Sequence, residues 1–227
     1  DLFGIYNLRS RICVCIFLLA PILIEIYIFC PQVFSLTNSI LILLLLYSFS
    51  NLIIIISRQY GCKALFKCFP NGFPAQNALI SNNTFINKHM QERYCTFFSN
   101  HIDSFHVSTD ENDMKIQAEI AISWLISRTR DSSKFPLIEE ENINLGFSYN
   151  LLGVKPFGIF ISISLLILNL ILLFLRIYTI KNIIGILSNI LFIIIWISFI
   201  NKKLVQNCGK KYARALLSAC DSKELNN

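Results

Sequence analysis

The stretch Phe157–Leu175, FGIFISISLLILNLILLFL, runs for 19 residues without a charge, and Ile183–Ile200, IIGILSNILFIIIWISFI, repeats the pattern over 18. About 20 apolar residues suffice for an α-helix to cross a bilayer core. Neither stretch alternates polar and apolar positions as a barrel strand would. Backbone amides in lipid must be paired within the segment, so both read as helices. Two further runs, Ile12–Cys30 and Ser39–Ile56, lie toward the N-terminus, and across all four Glu25 is the single formal charge. The composition agrees, with 54% hydrophobic residues and a mean hydropathy of +0.57, above the ordinary soluble range.

The expected fold is therefore all-α: a polytopic integral membrane protein with four transmembrane helices arranged two plus two around a small helical cytosolic domain. The expected divisions are an N-terminal hairpin over 1–57, a cytosolic domain over 58–155, a second hairpin over 156–200 and a basic amphipathic tail over 201–227. A cleaved signal peptide is disfavoured for the first run, whose 19 apolar residues exceed an h-region and end in Phe29-Cys30-Pro31-Gln32 rather than a small-x-small site. The sequence opens at Asp1 without a methionine, so preceding residues are expected.

Lys and Arg near the span ends set the expected orientation. Arg9 and Arg11 precede the first run, Arg58, Lys63 and Lys67 follow the second, Lys155 precedes the third, and Lys202, Lys203, Lys210, Lys211 and Arg214 follow the fourth. Both termini and the middle segment are thus expected in the cytoplasm of a cell with this chain in its inner membrane, against the two contrary charges Arg176 and Lys181. Residues 58–155 carry ten basic and ten acidic side chains, while the tail from Asn201 carries six and two. The net charge of +6 is thus a lipid-surface signal, and the balanced middle argues against nucleic acid as a partner.

Eight cysteines form no C-x-x-C pair, and on the reducing side of a membrane free thiols are expected. Cys62, Cys68 and Cys95 with His89 match no standard zinc spacing, so neither metal nor cofactor is assigned. No H-E-x-x-H, G-x-S-x-G, Walker or G-x-G-x-x-G motif occurs, and no catalytic residue is assigned. His101 and His106 read as solvated residues flanking a helix end, and Glu139-Glu140-Glu141 as a solvated helix start. Arg128, Arg130 and Lys134 suit a phosphate or, equally, the negative end of a helix dipole.

In the middle segment the second run is expected to continue as a helix to about Lys67, where Phe69-Pro70-Asn71-Gly72-Phe73-Pro74 ends it. Ile86, Met90, Tyr94, Phe97, Phe98 and Ile102 recur at helical spacing, as do Met114, Ala118, Ala121, Ile122 and Leu125. Ser108 and Glu111 suggest a capping box for the second of these helices, which is expected to end near Arg130. Leu137–Asn150 reads as a further helix, with Gly153 and Pro156 marking entry into the third span. In the tail, Leu204, Cys208, Tyr212, Leu216 and Cys220 make an apolar stripe suited either to the membrane surface or to packing on the cytosolic domain.

Intramembrane polar residues are the first candidates for function. Glu25 lies roughly 7 to 8 Å inside the outer end of its helix, and Asn169 and Asn189 each about 9 Å inside theirs, whereas Asn51 sits in the opposite half. The layer Glu25, Asn169 and Asn189 has two readings: an interhelical hydrogen-bond clasp, or a polar ring lining an ion or proton path between protomers. Pro21, one turn before Glu25, frees the Phe17 carbonyl.

The motifs Trp124-Leu125-x-x-Arg128-Thr129-Arg130-Asp131, Lys134-Phe135-Pro136-Leu137-Ile138-x-Glu140-x-Asn142 and Gly146-Phe147-x-x-Asn150-Leu151-Leu152-Gly153-x-Lys155-Pro156 resemble a family of uncharacterised bacterial membrane proteins. Arg58-x-x-Gly61-x-Lys63, Gly72-Phe73-Pro74 and Glu92-Arg93-Tyr94 extend the resemblance over roughly 58–158. Members commonly carry tryptophan-glycine-glycine at Pro70-Asn71-Gly72 and arginines at Ser148 and Tyr149. The resemblance supplies no activity. It implies a working surface at Trp124, Arg128, Arg130, Asp131, Lys134, Glu140, Asn142, Asn150 and Lys155.

The leading expectation is a non-enzymatic, oligomeric sensor, effector or channel-like protein in the lipid bilayer, whose cytosolic domain meets a small ligand or protein partner and controls the membrane helices. Membrane effectors of antiviral systems share that plan by architecture alone. The alternatives are a membrane-anchored enzyme using the middle domain, or a small transporter with a path past Glu25.

Overall fold

The computed structural model describes residues 5–34, 36–80 and 85–225, and the side chains of these except 5, 34 and 36–48. All described elements are helical. After a first turn at Ile5–Asn7 and a π-helical turn at Leu8–Ile12 come α1 (Cys13–Phe29) and α2 (Leu36–Cys68). The short α3 (Pro74–Ala78), α4 (Lys88–His101) and α5 (Glu111–Arg128) follow. Then come α6 (Pro136–Phe174), α7 (Thr179–Ile194) with a π-helical end at Ile195–Phe199, and α8 (Lys202–Ser218).

The chain forms two compact units, residues 1–66 with 146–205, and residues 67–145 with 206–227. Asn150, Gly153 and Lys155 pack in the first unit, and the apolar stripe of α8 packs in the second. Three helices, α2, α6 and α8, each contribute residues to both units.

Among the described residues three helical segments are long and apolar enough to cross a membrane: Leu8–Phe29, Pro136–Phe174 and Thr179–Phe199. The expected second span, Ser39–Ile56, lies on α2, but the side chains of 39–48 are outside the described residues. The first unit is inside-out relative to a soluble fold. On α7 the buried positions are Asn182, Gly185 and Asn189, while Leu187, Leu191 and Ile180 are more than half exposed. On α6 Ser162 and Asn169 are buried, and Phe160 and Phe174 are 72% and 84% exposed. Water would penalise such a surface by about 25 cal/mol for each Å² of apolar area, whereas lipid would not.

A core does exist at one end of this unit: Val14, Leu18, Leu151, Val154, Trp196 and Ile200 cluster, with Phe17 edge-on to Trp196 at 5.1 Å. Glycines admit it. A Cβ on Gly158 would strike the Trp196 indole, 2.7 Å from Nε1. A Cβ on Gly153 would lie 2.6 Å from the Tyr60 carbonyl carbon, so α2 and α6 cross backbone to backbone. That crossing corrects the expectation that Gly153 and Pro156 end a helix: α6 runs through both without a break. Gly153 is a packing residue, and Pro156, which has no amide hydrogen to donate to Leu152, lies inside α6.

In the second unit, α2 ends at Cys68 where Phe69-Pro70 begins, and Gly72 takes the positive φ of 96° that the turn requires. Gln76 accepts from the Phe73 amide, starting α3. Asn87 caps α4 by accepting from the Met90 amide. Its apolar stripe buries Tyr94, Phe97 and Phe98. α5 buries Met114, Ala118, Ala121, Ile122 and Leu125. Two details of α5 differ from expectation. Its N-cap is Asp110, accepting from the Asn112 amide, while Ser108 accepts from the Asp110 amide one step earlier. Its last residue is Arg128, because Thr129 leaves helical dihedrals and turns its hydroxyl back onto the Leu125 carbonyl. The tail's apolar stripe is buried at Tyr212 and Leu216 of α8 and at Cys220 in the 3-10 turn that follows it, so in this fold the tail packs on the second unit.

Candidate functional site

In α1, Val14, Leu18, Pro21 and Glu25 recur at i, i+4, i+7 and i+11, so all four fall on the buried face of the helix. Glu25 ends that row and is 8% exposed. Asn169 of α6 and Asn189 of α7 reach it from two other helices. Each donates from Nδ2 to Glu25 Oε1 at 2.6 Å. Each spends its second N–H on the carbonyl one turn back in its own helix, Asn169 on Leu165 and Asn189 on Gly185, both at 2.9 Å. The backbone bond locks each amide's rotamer, and the fixed amide then presents one N–H to the carboxyl group.

Gly185 makes the close approach of α7 possible, since a Cβ there would lie 2.6 Å from Asn169 Oδ1. The two amide oxygens, Asn169 Oδ1 and Asn189 Oδ1, are buried without a hydrogen-bond partner among the described residues. About two turns before Asn189 on α7, Asn182 is fully buried and donates to the Ile177 carbonyl. It follows two left-handed residues, Arg176 at φ 57° and Tyr178 at φ 51°, that turn the chain from α6 into α7. Asn182 was outside the expected span; its buried position came into view only with the register of α7, in which 182, 185 and 189 share a face.

Chemically this trio is a three-helix junction with one shared acceptor. Glu25 Oε1 takes both donors, and all three residues are less than a tenth exposed within one copy. That geometry favours the clasp over a water-facing ring. Asn51 is half-buried on α2.

The residues expected as one working surface fall into both units. Asn150 is buried in the first, donating from Nδ2 to the Ser10 carbonyl at 3.0 Å beneath Gly61. Lys155 is there as well, its Nζ donating to the carbonyls of Ile200 at 2.7 Å and Ile197 at 3.3 Å, where the π-helical end leaves carbonyls to be satisfied. The remaining seven lie in the second unit. Arg128 stacks over the Trp124 ring at 5.5 Å, and Trp124 is half-buried beside Phe97 and His101. Asp131 accepts from the hydroxyl of Ser133 at 2.6 Å and from its amide at 3.0 Å, which holds its carboxyl below the usual range. Arg130, Lys134 and Glu140 are exposed and Asn142 half-buried.

His101 donates from Nδ1 to the Phe97 carbonyl at 2.8 Å, and His106 pairs with Asp113 at 3.0 Å, so each is committed locally. Glu139, Glu140 and Glu141 occupy the first turns of α6, where a helix dipole favours carboxylates. Cys62, Cys68, Cys95 and His89 form no metal-ligand group among the described residues. Sequence reasoning missed a cavity of about 1100 Å³ in the second unit, lined by Phe69, Asn71, Phe85, Met114, Lys115 and Lys210 among others. Its walls come from four separate segments, which no local pattern brings together. No family model, curated protein or solved structure matches this chain.

Proposed function

We propose that this chain is a non-enzymatic, multi-pass inner-membrane protein that works as an oligomer, with the second unit as its control and the first as the membrane part that responds. In this reading Ser39–Ile56 is a fourth span, the spans form two hairpins, and both termini and the second unit are cytoplasmic. The observation that carries it is the inside-out first unit, whose large aliphatic side chains face outward while Glu25, Asn169 and Asn189 are buried and bonded together. Such a bundle suits lipid, and its helices are held by a junction weak enough to rearrange: interhelical hydrogen bonds in membranes average about 0.6 kcal/mol. Three helices contribute residues to both units, so an event in the second has a covalent route to the first. The cavity in the second unit is where a small ligand would act.

The test is ion leakage from proteoliposomes holding the whole chain. Glu25→Gln and Asn169→Leu should change leakage while circular dichroism stays helical. Unchanged leakage from folded, inserted variants would remove the responding role of the junction.

A further inference from the structure

The first unit is chemically one-sided. Among its described residues Glu25 is the only carboxylate side chain, and it is bonded to two amides roughly 24 Å along the helix from Arg9. At the opposite end of the bundle the π-helical turn, α2 and α6 are level: Asn150 bonds the Ser10 carbonyl, and a Cβ on Gly61 would lie 3.0 Å from Asn150 Cα. That level places Arg9, Arg11, Arg58 and Lys63 around one rim. No ion pair engages any of them among the described residues. Arg11 lies over the Tyr6 ring at 5.4 Å and Lys63 over the Tyr60 ring at 5.6 Å, and Tyr60 meets Phe157 edge-on at 5.4 Å. Tyr60 and Phe157 are 45% and 42% exposed.

We propose that this rim is a binding site for anionic phospholipid, with Arg58 and Lys63 taking the headgroup phosphate and the Tyr60–Phe157 pair seating the glycerol edge. It rests on the membrane reading above. A phosphodiester with no cation of its own, such as phosphatidylglycerol, supplies the counter-charge that the unit lacks. Phosphatidylcholine carries its own cation and does not. Exposed aromatic rings belong at this level of a bilayer, and cations there attract anionic headgroups.

The test uses the full chain in phosphatidylcholine vesicles containing spin-labelled phosphatidylglycerol or spin-labelled phosphatidylcholine, read by electron paramagnetic resonance as the motionally restricted lipid fraction. Phosphatidylglycerol should be preferred by roughly three- to fivefold. Arg58→Gln with Lys63→Gln should bring the preference near unity, while Arg176→Gln with Lys181→Gln, at the far hairpin, should leave it in place. Equal restriction of the two lipids by the wild-type chain would overturn the proposal while leaving the membrane reading standing. Loss of preference only in the far-hairpin variant would also overturn it. Absence of any restricted lipid would remove both.

Discussion

Glu25 shows how a single residue type changes meaning with context. In water a surface glutamate is unremarkable; in a helix with 17 residues of which it is the only charge, it must be bonded. Here Oε1 accepts from two asparagines, so Glu25→Leu and Asn189→Leu should each destabilise the first unit by about 1 kcal/mol, with a coupling near 0.6 kcal/mol in a double-mutant cycle. Denaturant titration in detergent micelles reads this, and strict additivity would show that the bond contributes nothing. In the second unit the corresponding test is Asp113. Its hydrogen bond from Ser108 and the pairing with His106 hold its carboxyl below the ordinary 3.8. A carboxyl lowered on folding stabilises the fold above its unfolded value, and that contribution is lost as the pH falls through the lowered folded value. Asp113→Asn should therefore reduce the urea midpoint near neutrality, with the gap from wild type closing below about pH 4.

Among the elements, the helices that sequence periodicity identified are those with a polar face to define them. α4 and α5 show their stripes because water covers the other side. The end of α2 was legible because Pro70 and Pro74 cannot continue a helix. α6 was read as two helices, since Gly153 and Pro156 look like punctuation, and the Gly61–Gly153 crossing that explains the first is a long-range contact without a local signal. Gly153→Ala should cost about 2–3 kcal/mol, because the new methyl meets Tyr60 backbone and cannot be accommodated by a rotamer change. Gly209→Ala should cost less, since it meets the far end of the Phe69 ring. The tail makes a similar point. Its stripe and its lysines suit a bilayer surface or a protein neighbour equally in sequence, and only the fold decides. Leu216→Ala should lower the stability of the second unit by 2–5 kcal/mol, within the usual range of about that size for a buried leucine. Lys210→Gln should change it by less than about 0.5 kcal/mol. A reversed order, or a tail that binds vesicles when the second unit is intact, would contradict the packed helix.

For the whole molecule, the apolar runs mark helices long and apolar enough to cross a membrane, and residue spacing along them puts Glu25, Asn169 and Asn189 at similar depth. What the sequence left open was whether they face each other or a lumen, because depth along a helix does not specify rotation about it. Of the residues expected as a working surface, Asn150 and Lys155 belong to the first unit and the other seven to the second, because motif residues adjacent in sequence are not constrained to one face. The account turns on the first unit being solvated by lipid. Nitroxide labels placed singly at Ile167, Leu187 and Leu191, all about half exposed or more, in the full chain reconstituted into vesicles measure this directly. Relaxation by molecular oxygen should exceed that by a water-soluble nickel chelate at all three sites. Stronger relaxation by the chelate than by oxygen would place these faces in water and contradict the account.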